Sequence, residues 1–514
     1  MAMGSGLSPE GRKKLFCVGI FAVYSIITLF GALNHELWFD EAQAWCIARD
    51  ATLSNFSEIL KHEGHPALWY LILMPFAKAG AYCGIIGIIS WLFSVVAAGL
   101  FLFRAPFGLV IKTSVVFSSG FLFFNSVNSR VYCLIPLILF LIAAVYPKRR
   151  KYAVIYGLLV GLLANTHIMM SGLVAVLGIL MLIELFKGIK QEGIKKNIGG
   201  IIGLAAAGLL VIAMILPLLG SLSANSMVND KDISAGTVIL NSLSVFKNVG
   251  ANLMIYPDNT LSVALGIIPG LMIVAAIAAM TAYKRGIIMC GVFTAVYALI
   301  IEGIWFTTQL RAPIFLYTYA AIFWIAVENE KPVKRAISTD KASAAGGQLI
   351  KAVNCLFVKP EKAISLMLCA VLLFSAPSGL YWLIYDSFNE TVLTKNAAGF
   401  IGEELPEDAV IIMDSQSGVQ FNAYNPKIRL YSLELQSFIT YTPHEIPPDK
   451  VDYDKIRKDL ENEKNLYHLT YSPTELPDTA NENTLYDQCI DIPPYAYTGA
   501  VRIERVELSD ILEL

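Results

Sequence analysis

Charged residues are scarce in this 514-residue chain, since Asp, Glu, Lys and Arg make up 16% of it and apolar residues make up 56%. Together with a mean hydropathy of +0.59, this balance excludes an ordinary soluble domain of the same size. The net charge of −2 says little about partners, because Lys and Arg are clustered in short runs, and nothing in the composition indicates nucleic-acid binding. The composition therefore predicts a polytopic membrane protein.

Paired cysteines are also missing. The eight cysteines are scattered, mostly within apolar runs, and no two of them form a CxxC pair. This pattern is typical neither of a disulfide framework nor of a zinc site, so we predict that the cysteines are small core residues. The first apolar run, 15–33, follows three basic residues but has no small-residue cleavage site, which predicts an uncleaved first span.

Long apolar runs dominate the rest of the chain. A helix needs roughly 20 apolar residues to cross a bilayer, and about eleven runs have this character: 15–33, 84–104, 106–124, 131–146, 152–168, 169–186, 198–219, 261–282, 286–306, 311–327 and 363–384. A further run, 65–80, is shorter and contains Pro75 and Lys78. Every basic cluster falls on the cytoplasmic side only if 65–80 lies at the membrane interface. We therefore predict about eleven transmembrane helices with a cytoplasmic N-terminus.

The same topology divides the chain into domains. Residues 1–385 form a transmembrane domain whose first outer loop, 34–83, carries interfacial helices. A Lys-rich segment at 328–362 is predicted to be a cytoplasmic linker. The tail, 386–514, is rich in Asp, Glu, Asn, Pro and Tyr, and its segments "DAVIIMD" and "KIRLYSLEL" are typical of short strands. This tail is predicted to be a small extracytoplasmic α/β domain.

Two adjacent carboxylates, Asp40 and Glu41, follow the first span in "NHELWFDEAQAWCIARD". Placing a charged side chain near hydrocarbon costs free energy, so such a residue is either solvated at the headgroup level or retained for a function. In one interpretation Asp40 only caps the short helix "EAQAWCIAR", because acidic residues favour a helix N-terminus. In the other interpretation the pair takes part in catalysis. The other motifs of the chain are needed to choose between the two interpretations.

A second polar segment, "HEGHPALWYLIL", begins at His62. His62 and His65 can share one face of a helix, but a catalytic zinc normally needs three protein ligands, and the zincin pattern is HExxH. Pro66 would also interrupt a helix at this point. The segment is therefore not predicted to bind zinc.

Taken in order, these motifs resemble the GT-C glycosyltransferases, specifically the branch of the protein mannosyltransferases and the lipid A aminoarabinose transferase. Members carry an Asp-Glu pair in the first extracytoplasmic loop, and then Gly-His-Pro-Pro-Leu before an interfacial apolar helix. Here the second motif begins at Gly64, with Ala67 in place of the second proline. The resemblance continues with Arg130 and Tyr132 in "SRVYCL", His167 in "NTHIMMSG" and Arg311 at the start of a late span. It covers roughly the first 330 residues.

The resemblance implies an inverting transfer of a sugar from a polyprenyl-phosphate donor to an extracytoplasmic acceptor, which is a cell-envelope glycan, lipid or protein. Such a displacement needs a base on the acceptor hydroxyl and cations on the departing phosphate. Asp40 is the predicted base, and Glu41 and the apolar neighbours are expected to raise its pKa from about 3.9. The predicted donor-phosphate contacts are His65, Arg130 and Arg311, and the predicted substrate contacts are Tyr132 and His167.

Some GT-C enzymes bind a divalent cation through acidic residues of the first two outer loops. The second outer loop here, "NSVNSR", contains no carboxylate, so no metal and no other cofactor is predicted. A divalent cation is the alternative, which this loop does not support. Two other classes stay open: a transporter or flippase of lipid-linked sugars, for which paired repeats and charges near mid-membrane are expected, and a noncatalytic membrane scaffold. If Asp40 is only a cap, the alternative bases are Glu41, Glu63 and Asp230.

Overall fold

The computed structural model of the chain describes residues 8–52, 54–63, 65–224, 234–257, 259–333, 358–415, 418–443, 448, 450–472, 482–490 and 499–513. The chain forms two compact units. The helical unit comprises Met1–Ala32, Ile89–Ile215 and Lys231–Ile384, and the mixed unit comprises Leu33–Ile88, Leu216–Asp230 and Tyr385–Leu514. The first outer loop thus belongs to the same compact unit as the C-terminal segment, whereas the predicted domain boundary at 385/386 had separated the two.

Helices account for most of the described chain. In order they are α1 (Pro9–Asn34), α2 (Phe39–Asp50), α3 (Phe56–Glu63), α4 (Leu68–Lys78), α5 (Ile85–Arg104), α6 (Leu109–Val116), α7 (Leu134–Val145), α8 (Ala153–Ala164), α9 (Ser171–Glu192), α10 (Ile198–Ala224), α11 (Ala235–Ser242), α12 (Val245–Ala251), α13 (Thr260–Met280), α14 (Lys284–Tyr297), α15 (Ala312–Asn329), α16 (Pro360–Phe388), α17 (Thr394–Glu404), α18 (Val419–Tyr424), α19 (Tyr453–Leu460) and α20 (Leu508–Glu513).

Among the described residues, eight helical stretches are long and apolar enough to cross a membrane. They are Pro9–Asn34, Ile85–Arg104, Val131–Lys148, Ile168–Glu192, Lys195–Ala213, Thr260–Met280, Lys284–Glu302 and Pro360–Phe388. Each overlaps one of the predicted spans, so a mostly helical, multi-pass membrane protein is confirmed. The segment predicted to lie at the interface forms α4, which is far shorter than the roughly 20 residues that a span requires.

The other three predicted spans have a different form. The run 106–124 is divided into α6 and a π-helical turn, Gly120–Phe124. Tyr317 holds this break, because its hydroxyl accepts the Phe121 N–H at 2.9 Å and lies 2.6 Å from Ser118 Oγ. The run 311–327 forms α15, whose side chains from Ala312 to Ala326 are all buried, as expected of a helix that is apolar all round.

The run 152–168 forms only the short helix α8. The helix ends at Asn165, whose Nδ2 donates to Gly161 O at 3.0 Å and to Leu210 O at 2.7 Å. A polar side chain that satisfies neighbouring carbonyl groups in this way competes with the continuing helix. His167 follows this break in extended conformation, where its Nδ1 accepts the Met169 N–H at 3.1 Å.

The mixed unit contains a six-stranded sheet in the order β3-β2-β1-β4-β6-β5. The strands are β1 (Val410–Met413), β2 (Arg429–Ser432), β3 (Ser437–Ile439), β4 (Leu466–Ser472), β5 (Thr484–Cys489) and β6 (Ala500–Arg505). β1 is parallel to β2 and β4, and the other pairs are antiparallel. The two predicted strands, in "DAVIIMD" and "KIRLYSLEL", are β1 and β2, so the small sheet domain is confirmed.

Apolar side chains cover both faces of this sheet. Ile411 and Met413 of β1 belong to one core and Val410 and Ile412 to another, because successive side chains of a strand point to opposite faces. Helix α17 contributes to the first core and α19 to the second. A central strand buried on both faces explains why "AVIIM" is continuously apolar rather than alternating.

Three predicted features fall wholly or partly outside the described residues. They are most of the 328–362 linker (334–357), Gly64 of the second motif and the alternative base Asp230.

Candidate functional site

The Asp40–Glu41 pair lies in the first turn of α2. The helix begins at Phe39, preceded by Trp38 in extended conformation (φ −82°, ψ 173°). Carboxylates in this turn are favoured because the N-terminal end of a helix carries partial positive charge. The two acids differ in burial, since Asp40 is partly exposed and Glu41 is fully buried. Of the two acids, only Asp40 is therefore accessible to solvent.

Trp38 and His35 both contact the carboxylate of Glu41. Its Oε2 accepts the Trp38 N–H at 3.0 Å and lies 2.9 Å from His35 Nε2. The other imidazole nitrogen, His35 Nδ1, lies 2.9 Å from Asp386 Oδ2. Burial lowers the pKa of His35, but Asp386 and Glu41 outweigh it and raise that pKa well above 6.5. His35 thus links Glu41 to Asp386 within the mixed unit, and the sequence alone had singled out neither His35 nor Asp386.

Helix α2 packs within the mixed unit against residues of the C-terminal segment. Gln43 Nε2 donates to Thr442 O at 2.6 Å, and the Thr442 N–H donates to Gln43 Oε1 at 2.8 Å. Arg49 Nη1 donates to Asn422 O at 2.7 Å. These bonds involve main-chain groups of the C-terminal segment, so the position of α2 depends on that segment being folded.

The second sequence motif lies in the same unit as the first. Glu63, at the end of α3, accepts a hydrogen bond from Gln43 Nε2 at 2.7 Å and another from the Tyr70 hydroxyl at 2.8 Å. His65 follows α3 and is partly exposed. The structure therefore brings Asp40, Glu41 and His65 into one compact unit. Glu63, an alternative base, is engaged with Gln43 and Tyr70.

The remaining predicted residues lie in the helical unit. Arg311 Nε donates to the Tyr132 hydroxyl at 3.3 Å, and the rings of Tyr132 and His167 have centroids 5.5 Å apart. Arg130 is 8% exposed, and burial lowers its pKa to about 10, which leaves it charged at neutral pH. Arg311 is close enough to Arg130 to contribute to that lowering. Three distant segments of the chain thus form one cationic cluster.

Glu302 is a residue of this region that was not predicted from the sequence. It is 3% exposed and ends a π-helical turn, Ala298–Glu302. The Thr307 hydroxyl donates to its Oε1, and Asn248 Nδ2 donates to its Oε2 at 2.7 Å. A single carboxylate in the apolar run 286–306 was the available signal, since an acid at membrane depth is usually functional or paired. π-Helical turns are also frequent at functional sites.

The cluster combines two guanidinium groups with a tyrosine, a histidine and a nearby carboxylate. Guanidinium groups suit phosphate, because they are always charged and donate in a planar fork. The described residues contain no group of three or more His, Cys, Asp or Glu side chains suited to hold a metal ion. A comparison with protein-family models finds no match for the chain, and a search of the curated proteins likewise finds none.

Proposed function

We propose that the chain is an integral membrane glycosyltransferase of GT-C type, which moves a sugar from a polyprenyl-phosphate donor to an extracytoplasmic acceptor. One observation carries the proposal: residues of the ordered motifs, far apart in sequence, form a largely buried cationic cluster in a membrane-embedded unit. Arg130, Tyr132, His167 and Arg311 meet there through the contacts described above. Arg130 is buried, and the like charge of the partly exposed Arg311 adds to the cost of burying it. An anionic ligand would offset that cost.

Asp40 is the general base of the proposed reaction. Its partly exposed carboxylate takes the proton of the acceptor hydroxyl as the acceptor oxygen attacks the anomeric carbon of the sugar. The bond between this carbon and the phosphate oxygen breaks, and the polyprenyl phosphate leaves on the face opposite to the attacking oxygen. The configuration at the carbon therefore inverts. General-base catalysis contributes about a hundredfold to ten-thousandfold in rate.

Arg130 and Arg311 stabilise the leaving polyprenyl phosphate. Negative charge accumulates on the phosphate oxygens as the sugar departs, and fixed donors aimed at such charge are effective because they need little reorganisation. Tyr132 holds Arg311 through its hydroxyl, and His167 packs against Tyr132. Glu302 contributes favourably to the charged state of Arg311.

The proposal places Asp40, the cationic cluster and the C-terminal sheet domain on the extracytoplasmic side. Its support is the distribution of basic residues, which are concentrated in loops that this orientation puts in the cytoplasm. Nucleotide sugars are absent outside the cytoplasmic membrane, so the donor has to be carried on lipid.

The test is a donor assay with the purified full-length protein in lipid nanodiscs. A panel of polyprenyl-phosphate sugars is supplied with delipidated cell-envelope material as acceptor, and the released polyprenyl phosphate is quantified. Wild-type protein is expected to consume at least one donor, and Asp40→Asn is expected not to. Asp454→Asn is the matched control, because Asp454 is an exposed aspartate in the first turn of α19. Movement of intact donor across a vesicle membrane without cleavage would favour a flippase instead.

A further inference from the structure

His35 lies between two carboxylates in the mixed unit. Its Nε2 is 2.9 Å from Glu41 Oε2, and its Nδ1 is 2.9 Å from Asp386 Oδ2. The side chains of the three residues are 5%, 0% and 4% exposed, in the order His35, Glu41 and Asp386. His35 follows the first span, and Asp386 lies in the last turn of α16. The buried triad therefore joins two chain segments separated by 351 residues.

The charge state of this triad follows from its donors and acceptors. A neutral imidazole has one N–H and an ionised carboxylate has none, so only the imidazolium donates to both partners. Loss of the imidazolium would leave the two buried carboxylates sharing one imidazole N–H and without a cation between them, and a buried charge without its partner is strongly destabilising. The raised pKa of His35 agrees with this geometry.

Glu41 connects the triad to the start of α2. The same oxygen that faces His35, Oε2, accepts the N–H of Trp38, the residue that precedes the helix. Asp40 is the neighbour of Glu41 in the first turn. At the other end of the triad, Asp386 Oδ1 accepts the Thr391 hydroxyl at 3.2 Å. The backbone around Asp40 is therefore held through one carboxylate, which is held in turn by the imidazolium.

We propose that His35 is a positioning residue, which acts with Asp386 to fix Glu41 and thereby the backbone that presents Asp40. The catalytic meaning of this role rests on the proposed function, in which Asp40 is the base. The positioning of the α2 start by His35 does not rest on the proposed function, because the order of this backbone can be measured without any substrate. It also gives a structural role to the C-terminal part of the mixed unit, since Asp386 lies at the start of its segment Tyr385–Leu514.

The first arm of the test measures thermal unfolding of the purified full-length protein. His35→Gln is expected to lower the melting temperature much more than His468→Gln. His468 is a matched control, because it forms a histidine–carboxylate pair of 3.0 Å with Asp414 in the same unit, but Asp414 is 68% exposed.

The double variant H35Q/D386N distinguishes coupling from simple damage. Asp386→Asn removes one buried charge, and its side-chain amide can pair with the amide that His35→Gln introduces. The double variant is therefore expected to be more stable than His35→Gln alone. Independent sites would instead add their losses. Additive losses, or equal melting temperatures for His35→Gln and His468→Gln, would overturn the triad. If His35→Gln fails to fold, the comparison uses Asp386→Asn with and without His35→Gln.

The second arm reports on position 40 itself. A single cysteine is placed there (Asp40→Cys) in a background without other cysteines, and its rate of maleimide labelling is measured. Adding His35→Gln is expected to raise the rate about tenfold, since the helix start opens more often, whereas adding His468→Gln leaves it unchanged. A labelling rate that His35→Gln does not alter would refute positioning even if the protein were destabilised.

The third arm uses a donor that the protein consumes. His35→Gln is expected to lower kcat about tenfold or more with KM for the donor unchanged, as expected when a transition-state contact is misplaced. H35Q/D386N is expected to recover part of the loss. If no donor is consumed by wild type, the proposed function fails while the first two arms still decide the triad. If donor is consumed but His35→Gln has normal kcat, the positioning role fails alone.

Discussion

Asp40→Asn and Glu41→Gln are expected to separate catalysis from stability. Asp40 is partly exposed in the first turn of α2, where a carboxylate contributes about 0.3–1 kcal/mol through the helix dipole. Asp40→Asn should therefore cost at most about 1 kcal/mol of unfolding free energy. Its loss of a general base should lower turnover about a hundredfold to ten-thousandfold, equivalent to about 3–5 kcal/mol of barrier.

Glu41→Gln should show the opposite balance. Glu41 is fully buried and faces His35 at 2.9 Å, and removing one partner of a buried ion pair costs about 3–5 kcal/mol. Its turnover, measured well below the melting temperature, should fall less than that of Asp40→Asn, because Asp40 keeps its carboxylate.

The assay combines a thermal or chemical unfolding curve with single-turnover donor cleavage, and Asp454→Asn serves as the control for each. Near-normal turnover by Asp40→Asn together with a large loss of stability would refute the reasoning. The capping interpretation of Asp40 would then be the better one.

Four further outcomes are expected. Arg130→Ala should lower donor turnover about a hundredfold, because a fixed donor to the leaving phosphate is lost, while Ala at the exposed Arg12 should have no effect in the same cleavage assay. A single cysteine at Ser57, exposed on α3, should react with a membrane-impermeant maleimide in intact right-side-out vesicles, and labelling only after permeabilisation would contradict the orientation. Glu302→Gln should lower the melting temperature in a thermal-unfolding assay, because Thr307 and Asn248 both donate to the buried carboxylate of Glu302, and an unchanged melting temperature would argue against that role. Because the folded-state pKa of His35 is raised above 6.5, the stability that it contributes should be complete below about pH 6.5 and be lost as pH rises through the raised pKa, so melting temperatures measured from pH 6 to 10 should fall more for wild type than for His35→Gln.

Much of the fold could be predicted from local sequence. Eight apolar runs became long apolar helices, because a run of about 20 apolar residues has few alternatives to a membrane helix. The strands β1 and β2 were predicted from short apolar runs between turn signals. The predicted domain boundary at 385/386 rested on a local change of composition, and it separated the C-terminal segment from the first outer loop, with which this segment forms one compact unit.

Features that depend on distant partners could not be predicted. The early end of α8 depends on the bond from Asn165 to Leu210 O, and the split near Gly120 depends on Tyr317. A single sequence gives no indication that such groups meet.

The candidate site shows the same division. Motif order was enough to select Arg130, Tyr132, His167 and Arg311, and the structure brings these four residues into one cluster. The triad of His35 was not predicted, because its two carboxylates come from α2 and from the end of α16. The different burial of Asp40 and Glu41 was also beyond the sequence, since neighbours in a first helical turn face different surroundings.

The central claim is that the chain cleaves a sugar from a polyprenyl phosphate by inverting displacement, with Asp40 as base. The most direct measurement follows one labelled donor in nanodiscs and determines both the released polyprenyl phosphate and the anomeric configuration of the transferred sugar. The account predicts one polyprenyl phosphate per sugar transferred, an inverted anomeric centre, and loss of both products in Asp40→Asn but not in Asp454→Asn. Retained configuration, or equal product from Asp40→Asn, would contradict it.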